Sequence, residues 1–163
     1  VAALLETSVQ SVNSALQRAR ASMAKSNVSS SDALPKLSDS DRAMLDRYVK
    51  AFERYDMTAL AALIREDATQ SMPPYDMWLR GRDDIFAWWV GPGIGCKGSR
   101  VIPTFAANGS PAFGQYKPSP DGGFDPWALQ VLEVSGGRIS ELTFFLDTAR
   151  VFPLFGLPLH LDS

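Results

Sequence analysis

Residues 126–146, PWALQVLEVSGGRISELTFFL, decide the fold. Two strand-like runs, about 126–135 and 138–146, flank Gly136-Gly137. Glycine enters the left-handed backbone region without a Cβ penalty, so this pair predicts a tight hairpin turn. Upstream, about 100–107 and 111–117 repeat the arrangement around Asn108-Gly109, and Pro118 to Gly123 forms a longer loop. Helical signals come first. Ser38 is a good N-cap, with Asp39 and Asp41 near the positive end of the helix dipole. Leu45, Tyr48, Val49, Phe52 and Tyr55 then recur at helical spacing, while Asp46, Arg47, Lys50, Glu53 and Arg54 fill the other face. A shorter helix is expected from Thr58 to Arg65, and a strand from Asp67 to Met72 that stops at Pro73-Pro74. Gly81-Arg82-Asp83-Asp84 opens a third helix carrying Ile85, Phe86, Trp88 and Trp89, closed by Gly91-Pro92-Gly93. Helices followed by a run of antiparallel strands is an α+β order.

Four pieces of this region resemble the SnoaL-like branch of the nuclear-transport-factor-2-like superfamily: YVKAFERYD (48–56), LIREDATQSMPP (63–74), WLRGRDDIFAWW (78–89) and LEVSGGRISELTFFLD (132–147). The resemblance implies a cone for residues 39–163, a curved antiparallel sheet wrapped around about three helices with an apolar pocket. Enzymes of that superfamily, such as ketosteroid isomerases and polyketide cyclases, need an Asp or His base among apolar walls. This sequence offers few. Residues 100–117 hold no Asp or Glu. Asp67 reads as a solvated strand end, Glu133 as a residue of the wet strand face, Asp147 as a helix cap, and Asp121 and Asp125 as turn residues. His160, the single histidine, lies in the tail. No catalytic residue is assigned, and the protein is expected not to be an enzyme. Tyr48, Phe52, Trp78, Trp89 and Trp127 are the candidate pocket residues, for an unidentified small ligand if one binds. Cys96, in GPGIGCKGSR (91–100), is expected to be exposed. That loop lacks the G-x-x-x-x-G-K-[ST] spacing of a phosphate cradle, and no cofactor or metal is assigned. The apolar tail Val151 to Leu161 is expected to dock, on its own domain or on a partner.

The first residues have another character. VAALLETSVQSVNSALQRARASMA (1–24) reads as the end of one helix, a turn at Glu6-Thr7-Ser8, and a second helix. Val9, Val12, Leu16, Ala19 and Met23 share a face of that second helix. A helix, a short turn and a helix opening with small polar residues is a helix-turn-helix pattern. Gln10, Ser11 and Ser14 are placed to reach base edges, and Arg18 and Arg20 to contact phosphates. Residues 1–24, with VNSALQRARA (12–21) as the core, resemble the end of region 4 of extracytoplasmic-function (ECF) sigma factors, where this helix reads the upstream promoter element. Residues 26–38, with five serines in SNVSSSDALPKLS, read as a linker. Certain sigma factors of that type carry a SnoaL-like domain after region 4, so the layout expected is residues 1–25 recognition helix, 26–38 linker and 39–163 regulatory domain. The resemblance implies promoter DNA, the RNA polymerase core and the protein's own sigma regions as partners. The rival reading is an isomerase- or cyclase-like enzyme, or a ligand receptor, using the cone pocket.

Composition bounds these readings. The chain of 163 residues carries 16 Lys and Arg against 18 Asp and Glu, a formal charge of −2, too balanced for a protein that coats polyanions. No apolar run approaches the roughly 18 residues that cross a bilayer, so no membrane partner is expected. A single cysteine excludes an internal disulfide framework and suits a reducing cytoplasm. Val1 opens within a helical pattern with no Met or signal-peptide pattern, so the chain is expected to be a fragment or a processed chain.

Overall fold

The structure, a computed structural model, describes residues 1–25, 37–106 and 108–162. The chain divides into two compact units, Val1–Leu34 and Pro35–Ser163. Most of the expected linker, residues 26–36, lies outside the described residues.

In the first unit, the Leu5 amide donates to the Val1 carbonyl (2.9 Å), Glu6 to Ala3 (3.2 Å) and Thr7 to Ala2 (3.0 Å). Glu6 has φ 49°. A six-to-one bond nested around a left-handed residue is how a helical turn ends. Helix α1 (Val9–Lys25) follows, and Ser8 Oγ caps it by accepting from the Ser11 amide at 3.1 Å. None of its residues is buried within the unit.

The second unit opens with α2 (Asp39–Arg54), capped by Ser38 accepting from the Asp41 amide. Tyr55 ends it in the left-handed region (φ 56°), and Asp56 then caps α3 (Met57–Leu63) by accepting from the Ala59 amide at 2.9 Å. Six strands form one sheet: β1 (Ile64–Ser71), β2 (Trp78–Arg80), β3 (Arg100–Phe105), β4 (Pro111–Pro118), β5 (Phe124–Ser135) and β6 (Arg138–Phe145), in the order β2-β1-β6-β5-β4-β3. Helix α4 (Arg82–Val90) and a short 3₁₀ helix (Pro92–Cys96) lie between β2 and β3, and α5 (Thr148–Leu154) follows β6.

Strand alternation sorts the core into two layers. Phe113, Ala128, Leu132, Leu142 and Phe144 pack with α2, α3 and α4 residues such as Leu45, Phe52, Leu60 and Ile85. The neighbouring positions Ala112, Tyr116 and Leu129 face the other way and pack against Phe152 and Leu157. The apolar tail therefore covers the outer face of its own sheet. Gly114 permits this: a Cβ there would come within 2.9 Å of Leu157 Cδ1.

Three expectations are corrected. The sheet is not wholly antiparallel, because β1 pairs parallel with β6. Those strands are far apart in sequence, so no hairpin constrains their direction. The second helix ends at Leu63, where Ile64 turns extended (φ −98°, ψ 135°) and pairs with Ile139. Asp147 precedes α5 but makes no side-chain cap bond; its carboxylate lies 3.7 Å from Arg150.

Candidate functional site

The interior under α2 and α4 is aromatic. Phe52 meets Trp89 edge-on (5.7 Å, 87°) and tilts against Tyr48 at 5.7 Å. Phe52, Tyr55, Met72, Trp89, Cys96, Trp127 and Phe144 are among the walls of a cavity of about 10 Å³, room for about one water. Trp127 reaches it because of a bulge. Gln115 pairs with Ala128 and Tyr116 with Pro126, so Trp127 is the extra residue on β5. Regular alternation would send it to the face opposite Ala128; the bulge re-aims it. Lys117 Nζ stands 3.2 Å from its ring centroid, a cation–π contact on its outer surface.

A directed chain of hydrogen bonds runs behind the aromatics. Tyr48 Oη donates to Gln130 Oε1 (2.9 Å), Gln130 Nε2 to Gln115 Oε1 (2.9 Å), Gln115 Nε2 to Ser99 Oγ (3.0 Å), and Ser99 Oγ to the Cys96 carbonyl (2.7 Å). All four side chains are buried. Nearby, Trp89 Nε1 donates to Gln70 Oε1 at 2.7 Å. An indole N–H is only a donor, which fixes the orientation of the amide. Gln70 Nε2 is then buried without a partner.

The interior is built of amides, hydroxyls and apolar groups, and the buried polar and charged residues described are Gln70, Ser71, Ser99, Gln115 and Gln130. Burial, with a smaller contribution from Cys96, pushes the Tyr48 phenol well above its ordinary range and Tyr55 up to about 12. Neither ionises near neutral pH. Among the described residues no cluster of three His, Cys, Asp or Glu could hold a metal ion, and no helix is long and apolar enough to cross a membrane.

Of the expected pocket residues, Phe52, Trp89 and Trp127 line the cavity. Tyr48 does not; it is core, fully buried between Phe52 and Phe113 with its hydroxyl on Gln130. Trp78 does not either, and is 71 % exposed. It sits on the three-residue edge strand β2, where Leu79 takes the inward position and Trp78 and Arg80 face out. Cys96 is buried, contrary to expectation, because the 3₁₀ helix folds back: Tyr55 Oη lies 2.8 Å from the Trp89 carbonyl and 3.0 Å from that of Gly93. The two inward glutamines of β4 and β5 were the missed signal; each stands in an apolar run, FGQY and WALQVL.

The carboxylates behave as turn and surface groups. Asp67 pairs with Arg65 at 2.7 Å, and Glu133 is exposed and accepts from Ser110 Oγ at 2.7 Å. His160 Nδ1 lies 3.0 Å from Asp125 Oδ1, while the Phe124 and Leu161 backbones exchange hydrogen bonds of 2.7 and 3.0 Å. On α1, Gln10, Ser11, Arg18 and Arg20 are exposed and Ser14 is half-buried. At 100° per residue, Gln10, Ser11, Ser14 and Arg18 share an arc of about 100°, roughly opposite the Val12–Leu16–Ala19 stripe, and Arg20 falls outside it.

Residues 45–142, more than half of the chain, match the model of the SnoaL-like domain family. The chain belongs to the SnoaL-like domain family. It is also similar to the ECF RNA polymerase sigma factor SigG of Mycobacterium tuberculosis, 38 % identical over 162 residues in two strains. That similarity takes in 97 % of this chain and 43 % of the relative, so the chain spans less than half the length of the curated relatives it matches. Solved structures agree on the fold. An NTF-2 like protein of unknown function from Burkholderia xenovorans is 18 % identical, with a TM-score of 0.55 over 66 % of this chain and 83 % of that one. An LEH-like epoxide hydrolase of M. tuberculosis is 17 % identical, with a TM-score of 0.52 over 70 % of this chain and 87 % of that one. These likenesses show the fold, and the interior of this SnoaL-like domain must be read from its own residues.

Proposed function

We propose that the chain is the C-terminal part of an ECF-type sigma factor. Residues 1–25 contribute to promoter recognition, and the SnoaL-like domain regulates transcription initiation through contacts with the RNA polymerase core or the protein's own sigma regions, in the cytoplasm. The observation that carries this reading is the 38 % identity to SigG, which runs through 162 residues and so through both units, the helix as well as the cone. The two-part pattern of α1, a polar arc opposite an apolar stripe, suits a helix that rests on a scaffold and presents Gln10, Ser11 and Ser14 to base edges. In this reading Arg18 bonds a base or a phosphate and Arg20, off the arc, a phosphate.

The cone acts here as a binding module and not as an enzyme. Its cavity is about 10 Å³, and among the described residues the buried polar side chains are amides and hydroxyls, with the Cys96 thiol on the cavity wall. A second reading, small-ligand binding inside the cone, draws support from the unpaired Gln70 Nε2 beside Trp89. The test uses the full-length protein with RNA polymerase core on genomic DNA. Transcripts with discrete start sites are expected, and Arg18→Ala should weaken promoter binding by about 1–3 kcal/mol, or lower the salt slope by about one if it contacts phosphate. Absence of promoter-dependent transcripts would overturn the sigma-factor reading.

A further inference from the structure

The second unit carries more acidic than basic side chains, yet one groove on it is basic. Arg47, Lys50 and Arg54 of α2 line it with Ala51, Ala59, Ala62 and Leu63, around a volume of about 280 Å³. On an ideal helix these three cations fall within an arc of about 60° and span about 10 Å along the axis. All three are exposed, and none forms an ion pair among the described residues. Arg54 Nε is held by the Lys50 carbonyl at 3.1 Å. Of the two acidic residues beside them on α2, Asp46 lies one turn before Lys50 without forming an ion pair with it, and Glu53 is turned away: its Oε1 accepts from the Val101 amide at 3.0 Å and faces Arg100 at 3.7 Å. The charges that line the groove are all positive, and the small side chains of α3 leave a concave apolar floor beneath them.

We infer that this α2–α3 groove docks an acidic protein segment that carries an apolar anchor residue. Charge complementarity selects the sign of the partner. The floor selects its class: a duplex backbone offers phosphates and no apolar group, and would leave Ala59, Ala62 and the edge of Leu63 against a polar surface. A peptide with Glu or Asp on either side of a Leu or Phe satisfies both the rim and the floor. The inference stands on this groove alone and does not require the sigma-factor reading.

The test uses the whole chain and fluorescence anisotropy. The probes are a labelled synthetic peptide with several Glu and Asp around a Leu-Phe pair, the same peptide with Ser-Ser in place of that pair, and a short DNA duplex. The first peptide should bind, weaken as salt rises, and lose about tenfold or more in affinity on Arg47→Glu/Lys50→Glu. Ala62→Trp, which fills the groove and leaves its charges, should cause a similar loss. Arg150→Glu, on α5 over the outer face of the sheet, should cause none. Urea midpoints check that each variant is folded, and the two groove variants perturb different helices, so one misfolding leaves the other decisive. The inference is overturned if the first peptide does not bind, if the Ser-Ser peptide binds equally well, if the duplex displaces the peptide at lower concentration, or if neither groove variant changes binding.

Discussion

Tyr48→Phe should destabilise the protein when Gln130 is present and cease to do so when Gln130 is replaced by Met. The reasoning follows from the direction of the buried chain. Tyr48 Oη gives its proton to Gln130 Oε1, and Gln130 Nε2 gives one to Gln115 Oε1, with all three residues fully buried. Tyr48→Phe removes one bond and leaves Gln130 Oε1 unpaired, which costs about 1–3 kcal/mol. Gln130→Met is larger in effect: it strands both the Tyr48 hydroxyl and Gln115 Oε1, about 1–3 kcal/mol each, partly offset by the apolar gain of the thioether. In that background Tyr48→Phe deletes a buried group that already lacks a partner, so its effect should be near zero or stabilising. The two values should differ by about 1–3 kcal/mol, the range of contacting pairs in double-mutant cycles. Urea unfolding followed by tryptophan fluorescence measures all four proteins, with unchanged slopes as the check that the transition stays two-state. Equal destabilisation by Tyr48→Phe in both backgrounds would refute the network.

Trp78→Ala should change stability by no more than about 0.5 kcal/mol, whereas Trp89→Phe should lower it by at least about 1–3 kcal/mol, because it frees the whole Gln70 amide; thermal melts separate the two. Phe152→Ala should cost about 3–5 kcal/mol, since Phe152 is fully buried and meets Tyr116 edge-on at 5.2 Å, and denaturant titration reads the loss. Ser119, and then His160, hold the Asp125 carboxyl below its ordinary value of 3.8. A depressed folded-state value contributes stability above the unfolded value and loses it as pH falls through the folded one. The acid limb of an unfolding profile, below about pH 4, should therefore be shallower in Asp125→Asn.

Much of the fold is legible because local chemistry and tertiary structure agree. Ser38 caps α2 where its side chain predicts, and Gly109, Gly136 and Gly137 take positive φ at the hairpin turns. The site is less legible, for two reasons. Trp127 faces the cavity only because β5 has one more residue than β4 opposite it, and a count across two strands is not visible within either. Cys96 is buried where the 3₁₀ helix folds back, and the Tyr55 hydroxyl, about forty residues away in sequence, bonds the Trp89 and Gly93 carbonyls there. Trp78 fails differently. Its neighbourhood of charged residues places it near a surface, but the inward turn of Leu79 on a short edge strand decides which side it takes.

The place of the tail bears on where the proposed regulation can act. The residues from Val151 to Leu161 are apolar enough to need cover, and the sheet supplies it: Phe152 and Leu157 are buried against Tyr116, Leu129 and Gly114, and Tyr116 Oη donates to the Pro158 carbonyl at 2.9 Å. The end of the tail closes on the loop before β5, where a Cβ on Gly123 would collide with the Leu161 carbonyl. For this tail to engage an external partner it must first leave that bed, exposing two large apolar side chains and a strand pairing. Deletion of residues 151–163 should therefore produce an unfolded or aggregating domain, seen as loss of a cooperative melt. A soluble, cooperatively folding truncation would show that the bed is dispensable and return the tail to the list of partner contacts. With the tail committed to its own sheet, the regulatory contact we propose is directed to surfaces that are exposed without being covered from within, and the cationic rim on α2 is one that carries charge to recognise.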